Sequence, residues 1–361
     1  MKEKVVLAMS GGVDSSVAAL LLKQKGYDVS GATFILYEDT PTSDSTDTET
    51  EGITTEVRDA RQVTEKIGIN HYVFNYRREF KENVIDKFAE SYMKGETPNP
   101  CVTCNKKIKF SKMMDIADQL SMDLISTGHY AKISYDSGSE RHLLKRALDD
   151  KKDQTYVLYN LTQQQLAMTL LPLGLLTKKE IREFAAEHGF ANADKPDSQD
   201  ICFVKDGDYA GFLRRVCGVV SKPGSFIDVE GRRLGEHKGM INYTLGQRKG
   251  LGISGGRPLF VVKKDIEKND IILGDNTDLC STRVFVSDVN LIALTRLEAS
   301  MRVTAKMRYK QKETSAIIHP VSETDVIVEF QEGQRAVTPG QSAVFYDGDI
   351  VLGGGIIRDA E

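Results

Sequence analysis

The sequence predicts an α/β domain followed by an all-β region, and three observations carry that prediction. Short apolar runs alternate with helical stretches through about residue 130. A two-glycine loop, SGGVDSS (10–16), sits at the first strand-to-helix junction. From about residue 282 the chain becomes a series of closely spaced short strands. At 361 residues it is too long for one ordinary core, so two or three domains are expected.

KVVLAM (4–9) is an apolar run of strand length, and DSSVAALLLKQKG (14–26) is a helix with Asp and Ser at its start and Gly26 at its end. DVSGATFIL (28–36), HYVFNY (71–76) and DLISTGHYAKI (123–133) read as further strands. TTEVRDARQVTEKIG (54–68) and REFKENVIDKFAESYMKG (78–95) read as helices between them. This alternation builds a parallel sheet wrapped by helices. Glu38–Gly52 is acidic, rich in Ser and Thr and without periodicity, which predicts a mobile loop. The stretch 163–190 adds two helices. After about residue 206, GSFIDVEGRRLGEHKG and GQRKGLGISGGRP predict short strands and turns. RVFVSDVNLIAL, MRVTAKMRYKQK, TSAIIHP, DVIVEF, SAVFYDG and DIVLGGGIIR then predict a small barrel or sandwich. The expected boundaries are 1–205, 206–281 and 282–361.

Composition narrows the function classes. The opening MKEKVVLAMSGG has too short an apolar run for a signal peptide and no small-residue cleavage site. No apolar stretch approaches the ~20 residues of a membrane span. A cytoplasmic protein is therefore expected, where structural disulfides are rare and thiols stay available for chemistry. A net charge of −4 gives no global nucleic-acid signature, so any such surface must be a local patch.

SGGVDSS lies where a parallel α/β sheet binds anions. Its glycines let the backbone approach closely, and N–H groups at the helix start favour phosphate. Asp14 is placed to orient Mg²⁺, and the serines to reach phosphate oxygens. A glycine turn with ordinary Asp/Ser capping fits these residues equally well. The loop is neither a Walker A sequence nor a G-x-G-x-x-G dinucleotide loop.

AMSGGVDSS (8–16) resembles the PP-loop of the N-type ATP pyrophosphatases, and the whole chain resembles the bacterial tRNA-specific 2-thiouridylases. The matching stretches run in order from end to end: SGGVDSS, TPNPCVTCNKKIKF (97–110), STGHYAKI (126–133), KKDQTYVLY (151–159), KPDSQDICFV (195–204), YTLGQRKGLGI (243–253) and VTPGQSAVFYDGDIVLGGGII (337–357). The resemblance implies a Rossmann-like PP-loop ATP pyrophosphatase domain, a small central domain and a C-terminal β-barrel. It also implies ATP-dependent 2-thiolation of the wobble uridine in tRNAs for Lys, Glu and Gln. By that resemblance Ala8, Met9, Ser10, Gly11, Gly12, Val13, Asp14, Ser15, Phe34 and Gly128 hold ATP, with Mg²⁺ near Asp14.

The resemblance makes Cys104 the nucleophile and Cys202 the bearer of a persulfide delivered by a sulfur-relay protein, the pair closing to a disulfide after transfer. Thiolate is the reacting form, so nearby cations, with Lys106 and Lys107 closest in sequence, are expected to lower the thiol pKa values. Read alone, Cys202 in an ICF segment looks like a buried apolar cysteine, and only the resemblance favours the catalytic role. Many members of the family that the chain resembles carry Asp where this chain has Cys101. The substitution supplies a third thiol, and Cys101, Cys104 and Cys202 together could ligate three irons of a cubane iron–sulfur cluster, an alternative route to the same product.

Lys306, Arg308, Lys310 and Lys312 alternate along MRVTAKMRYKQK, so a continuous strand would place them on one face as a phosphate stripe. A solubilising edge strand has the same pattern. The resemblance implies tRNA contacts at Asn99, Pro100, Cys101, His129, Lys152, Asp153, Gln154, Arg308, Tyr309 and Gln341. An amide-forming PP-loop ligase is the rival reading, but it would need an ammonia source and no relay thiols. A non-catalytic RNA-binding module would not need an intact PP-loop and two cysteine elements.

Overall fold

In the computed structural model, which describes residues 2–37, 54–196, 201–204, 206–253 and 257–361, the parallel sheet forms from the apolar runs that predict it. The loop expected at Glu38–Gly52 lies outside the described residues. Strands β1 (Lys4–Ala8), β2 (Asp28–Ile35), β3 (Asn70–Asn75) and β4 (Leu124–Ser126) are followed by the hairpin β5 (Lys132–Asp136) and β6 (Arg141–Lys145), then by β7 (Thr169–Leu170). The sheet order is β3-β2-β1-β4-β7. Every neighbouring pair in it is parallel. β1 is central, and Val5, Val6 and Leu7 are fully buried, as expected where helices cover both faces. Helix α1 (Val13–Gln24) packs Val13, Val17, Ala18 and Leu22 into this core. Helix α2 (Thr55–Ile67) is capped by the Thr54 hydroxyl, which accepts from Val57 N–H, and stops at Gly68, whose φ is +62°.

The chain leaves β1 toward β2 on one side, while β4 lies on the other. The C-terminal ends of β1 and β4 therefore flank a topological switch point, where ligands of open α/β sheets bind.

The strand expected across 123–133 is broken. β4 stops at Ser126, and β5 starts at Lys132 as half of an antiparallel hairpin. Between them, the backbone turns out of the sheet at Gly128 and approaches the start of α1. A helix not anticipated from sequence runs from Pro100–Cys104 through a π-helical turn, Asn105–Lys109, into α3 (Phe110–Leu120). Helix α4 (Lys178–Glu187) opens with a Thr177/Glu180 capping box.

The chain divides into two compact units. One comprises residues up to Val84, Cys101–Phe203 and Asp349–Val351; the other comprises Ile85–Pro100, Val204–Gly348 and Leu352–Glu361. Within the second, β8 (Gly224–Asp228), β9 (Arg233–His237), β10 (Phe260–Asp265) and β11 (Asp270–Gly274) form a small sheet around Phe226, Val261, Ile271 and Leu273. Then β12 (Cys280–Leu291), β13 (Met301–Lys306), β14 (Thr314–Pro320), β15 (Val326–Arg335), β16 (Ser342–Asp347) and β17 (Ile350–Ala360) close into a barrel, in the order β12-β15-β14-β13-β16-β17 with β17 back on β12. Alternate residues such as Val303, Ala305, Ala316, Ile318, Val328 and Phe330 fill its interior, and closure removes the exposed edges.

The basic stripe needs correction. β13 ends at Lys306, and the chain turns through the following residues before β14 begins at Thr314, so the four cations do not share a strand face. The turn is held by Met307 N–H donating to Gln311 Oε1 at 3.1 Å and by Gln311 N–H donating to Arg308 O at 3.2 Å.

Candidate active site

Residues 9–12 connect β1 to α1 by a turn that demands glycine at position 11. Gly11 has φ +69°, and a Cβ there would lie 2.7 Å from Glu56 O. Gly12 is the N-cap of α1 and supplies no side-chain cap. The Ser15 and Ser16 hydroxyls donate to Gly12 O at 3.1 and 3.0 Å, and Ser10 N–H donates to Ser15 Oγ at 3.3 Å. The result is a folded-back loop at an uncapped helix N-terminus, a geometry suited to phosphate. Gly128 completes its wall: a Cβ there would lie 3.0 Å from Ser15 N and 3.1 Å from the Asp14 carbonyl carbon. Phe34, near the end of β2, meets Tyr76 edge-on with ring centroids 5.2 Å apart.

Asp14 sits in this loop with two donors that its neighbours in sequence do not provide. Its Oδ1 accepts from Tyr130 O–H at 2.6 Å and from Lys178 Nζ at 2.7 Å. Lys178 is the first residue of α4, its side chain is only 11% exposed, and its ammonium lies 5.9 Å from the centre of the Tyr130 ring. Asn192 ties a further segment to the loop, donating to Gly11 O at 3.0 Å and Ser16 Oγ at 2.9 Å. Asp14 thus faces an ammonium rather than other carboxylates. Among the described residues no three His, Cys, Asp or Glu side chains gather to hold a metal ion. Mg²⁺ in nucleotide sites is held by phosphates more than by protein carboxylates, so an absence of clustered carboxylates is compatible with a metal brought by a nucleotide.

The same unit contains the three cysteines of interest. Cys104 is buried, whereas Cys101 and Cys202 are exposed, and all three are free thiols, so the disulfide implied by the resemblance is not formed here. Phe203 anchors the segment carrying Cys202, packing edge-on against Phe80 and Tyr37 with centroids 5.7 and 6.4 Å apart. Burial pushes the Cys104 thiol up to about 12, opposed by Lys109 and reinforced by Cys202 and Cys101. The Cys202 thiol is also raised, first by desolvation, again opposed by Lys109.

These shifts correct the expectation that neighbouring lysines make the thiols acidic. Lys106 and Lys107 point to solvent, and the loss of hydration around Cys104 outweighs the one cation that reaches it. Among the described residues, the three cysteines do not gather into a group suited to hold a metal ion.

His129 is buried, its Nδ1 2.8 Å from Thr127 Oγ1 and its ring stacked 5.8 Å from that of Phe110. Burial, then Lys109, holds it well below the ordinary imidazole range, so it is neutral at physiological pH. Asp153 is buried and occupied within the fold, accepting from Ala147 N–H at 2.9 Å and from Thr155 O–H at 2.5 Å. Gln154 accepts from Tyr130 N–H at 2.9 Å, and Lys152 beside it is half-buried.

The remaining residues of interest lie in the second unit. Gln341 Nε2 donates to Thr97 O at 2.5 Å, and Thr97 N–H donates to Pro339 O at 2.9 Å, so Gln341 braces the loop that carries Asn99 and Pro100. Arg308 donates to Thr338 Oγ1 at 2.7 Å and to Ala336 O, while Tyr309 is 38% exposed. Sequence reading missed Lys109, Tyr130, Lys178 and Asn192. Tyr130 lay inside a quoted motif, but its partner Asp14 is 116 positions away, and Lys178 is 164 away.

Comparison with known proteins gives a consistent result over the whole length. Residues 3–206 match the tRNA methyl transferase HUP domain, 211–275 the tRNA methyl transferase PRC-barrel domain, and 281–357 the aminomethyltransferase beta-barrel domain. The tRNA-specific 2-thiouridylase MnmA of Clostridioides difficile (strain 630) is 52% identical over 361 residues, covering 99% of both chains. The protein of that name from Acetivibrio thermocellus is 49% identical over 363 residues, again covering 99% of both.

Proposed function

Because the chain belongs to the tRNA-specific 2-thiouridylases, enzymes that install sulfur at C2 of a tRNA uridine, we propose that it acts on the wobble uridine of tRNAs for Lys, Glu and Gln, by adenylylation followed by transfer from a persulfide on Cys202. ATP binds as substrate at Ala8–Ser15, Phe34 and Gly128, with its phosphates at the start of α1. Mg²⁺ bound with the nucleotide would neutralise phosphate charge, with Asp14 the side chain placed to assist in holding it. Uridine O2 attacks the α-phosphorus, pyrophosphate leaves, and C2 now carries an adenylate leaving group.

The terminal sulfur of the Cys202 persulfide attacks C2 and AMP departs, leaving a Cys202–S–S–C2 adduct. The Cys104 thiolate then attacks Cys202 Sγ. The S–S bond of the adduct breaks, 2-thiouridine leaves with the electron pair, and a Cys104–Cys202 disulfide forms. An external thiol reductant reopens it, and a persulfide-carrying relay protein recharges Cys202. Asn99, Pro100, Cys101, His129, Lys152, Asp153, Gln154, Arg308, Tyr309 and Gln341 are the proposed tRNA contacts. The bonds already made by Asp153 and Arg308 give them a bracing role as well.

The observation carrying this reading is the placement of Cys104 and Cys202 in one unit, where a charge on Cys202 bears on Cys104 and Lys109 bears on both. The test is anaerobic purification, iron and sulfide analysis, and thiolation by Cys101→Ser, Cys104→Ser and Cys202→Ser. Persulfide transfer expects an active, iron-free enzyme that tolerates loss of Cys101 but not of Cys104 or Cys202. Iron-dependent activity, lost in all three variants, overturns it.

A further inference from the structure

Cys104 is followed by a buried asparagine that takes no part in the adenylylation or sulfur transfer proposed above. Asn105 is 2% exposed, and its Nδ2 donates to Val157 O at 3.0 Å. Its Oδ1 is buried and finds no partner among the described residues. A buried acceptor without a partner is a cost that leucine, of similar size, would not carry. The amide is therefore explained by the bond its nitrogen makes.

The local geometry shows what that bond joins. Asn105 opens the π-turn just after Cys104, and Phe110 N–H donates to Asn105 O five residues back. Single π-turns inside α-helices recur at functional sites. Val157 lies in the short helix Thr155–Leu158, all four residues of which are buried. Gln154, the N-cap of that helix, is paired twice with Tyr130. Its N–H donates to Tyr130 O at 2.9 Å, and its Oε1 accepts from Tyr130 N–H at 2.9 Å. Tyr130 O–H in turn donates to Asp14 Oδ1 at 2.6 Å. A second contact closes the circuit, because the ring of Phe110, where the π-turn ends, stacks 5.8 Å from that of His129, beside Tyr130. The helix of Cys104, the segment 154–158 and the loop 127–130 thus brace one another within one unit, and the circuit ends on SGGVDSS.

We propose that Asn105 is a positioning residue for sulfur transfer: through Val157 and the Gln154–Tyr130 pair, it holds the helix of Cys104 in register with the nucleotide loop. This rests on the reading that the loop binds ATP and that Cys104 resolves the adduct. The uridine is activated at the loop and released at Cys104, so a small displacement between the two costs rate at the last step. The dependence runs one way. Losing the Asn105 bond leaves Gln154–Tyr130 and Tyr130–Asp14 intact, so adenylylation keeps its geometry while Cys104 loses its own.

The experiment separates the two halves of the reaction. Wild type, Asn105→Leu and Asn105→Gln, each loaded with persulfide, are compared in single-turnover thiolation, with tRNA-dependent ATP–pyrophosphate exchange measured on the same preparations. Asn105→Leu is expected to release 2-thiouridine on the order of 10²-fold more slowly, while exchange stays within about threefold of wild type. The enzyme–tRNA adduct, cleaved by added thiol, should accumulate in that variant. Asn105→Gln keeps the amide donor and should recover part of the rate. Hydrogen–deuterium exchange, which needs no substrate, should quicken in Asn105→Leu at 105–110, 154–158 and 127–130, and not in the β-barrel.

Release of 2-thiouridine by Asn105→Leu at the wild-type rate overturns the proposal. So does a loss of exchange and thiolation in equal proportion, the mark of a merely structural amide, or unchanged deuterium uptake at 127–130. If Asn105→Leu does not fold, Asn105→Ala and Asn105→Ser decide on the same readouts. A wild type that exchanges no pyrophosphate or makes no 2-thiouridine faults the enzymatic reading instead, and deuterium uptake then decides the brace by itself.

Discussion

Replacing Asp14 with Asn removes one negative charge and keeps an oxygen that can accept from Tyr130. Lys178 then loses its ion-pair partner while its side chain stays 11% exposed. A hydrogen bond to a charged group contributes about 1.5–3 kcal/mol, and an unpartnered buried charge costs more. Here the Asp14 side chain is 32% exposed, so water screens the pair and roughly 1–3 kcal/mol is the expected loss of stability. At about 2–4 °C per kcal/mol for a domain of this size, the melting temperature should fall by roughly 2–12 °C, leaving a folded enzyme at 25 °C. Catalysis should suffer far more, because Asp14 lies in the loop proposed to hold the triphosphate and its metal. The assay is tRNA-dependent ATP–pyrophosphate exchange with radiolabelled pyrophosphate, with folding checked by circular dichroism. A loss on the order of 10²-fold or more is expected. A folded Asp14→Asn enzyme exchanging within about threefold of wild type would refute the assignment of SGGVDSS as the ATP site.

Gly128→Ala places a methyl 3.0 Å from Ser15 N, so the start of α1 must shift; ATP affinity, measured by calorimetry, should weaken on the order of tenfold with little change in tRNA affinity. The raised Cys104 pKa has a stability consequence whose sign follows from linkage. The unfolded thiol ionises near 9 and the folded one near 12, so its contribution is full below about pH 9 and is lost at about 1.4 kcal/mol per pH unit up to about 12. Urea midpoints of wild type should therefore fall more steeply from pH 9 to 10.5 than those of Cys104→Ala, and parallel slopes would contradict the buried thiol. Arg308→Ala should cost about 1–2 kcal/mol of stability through its lost bonds to Ala336 and Thr338, in addition to weakening tRNA binding. Lys306→Ala should leave stability nearly unchanged and lower the log–log salt slope of tRNA binding by about one, a change absent if Lys306 meets no phosphate.

Local pattern was enough for much of this protein. KVVLAM followed by SGGVDSS could be read as strand, loop and helix because every cue lies within a few residues: an apolar run, two glycines, then Asp and Ser at a helix start. The barrel strands were legible for the same reason, since inward and outward residues alternate along each one and closure needs only their spacing. The family could be recognised because its motifs recur in order along the whole chain. What sequence could not supply was partnership across distance and changes of local period. Lys178 and Tyr130 meet at Asp14 only because α4 and the loop after β4 fold onto the first helix. The lysine whose charge bears on Cys104 is the half-buried Lys109 rather than the exposed Lys106 or Lys107, and which side of this helix turns inward depends on packing that the sequence alone did not announce. The stripe from Lys306 to Lys312 failed because β13 stops where the barrel wall turns, a boundary set by its pairing with β14 and β16 and not by its own alternation. The direction of the Cys104 shift was likewise a tertiary outcome: charge near in sequence argued for an acidic thiol, but desolvation depends on everything packed around the sulfur, and it prevails.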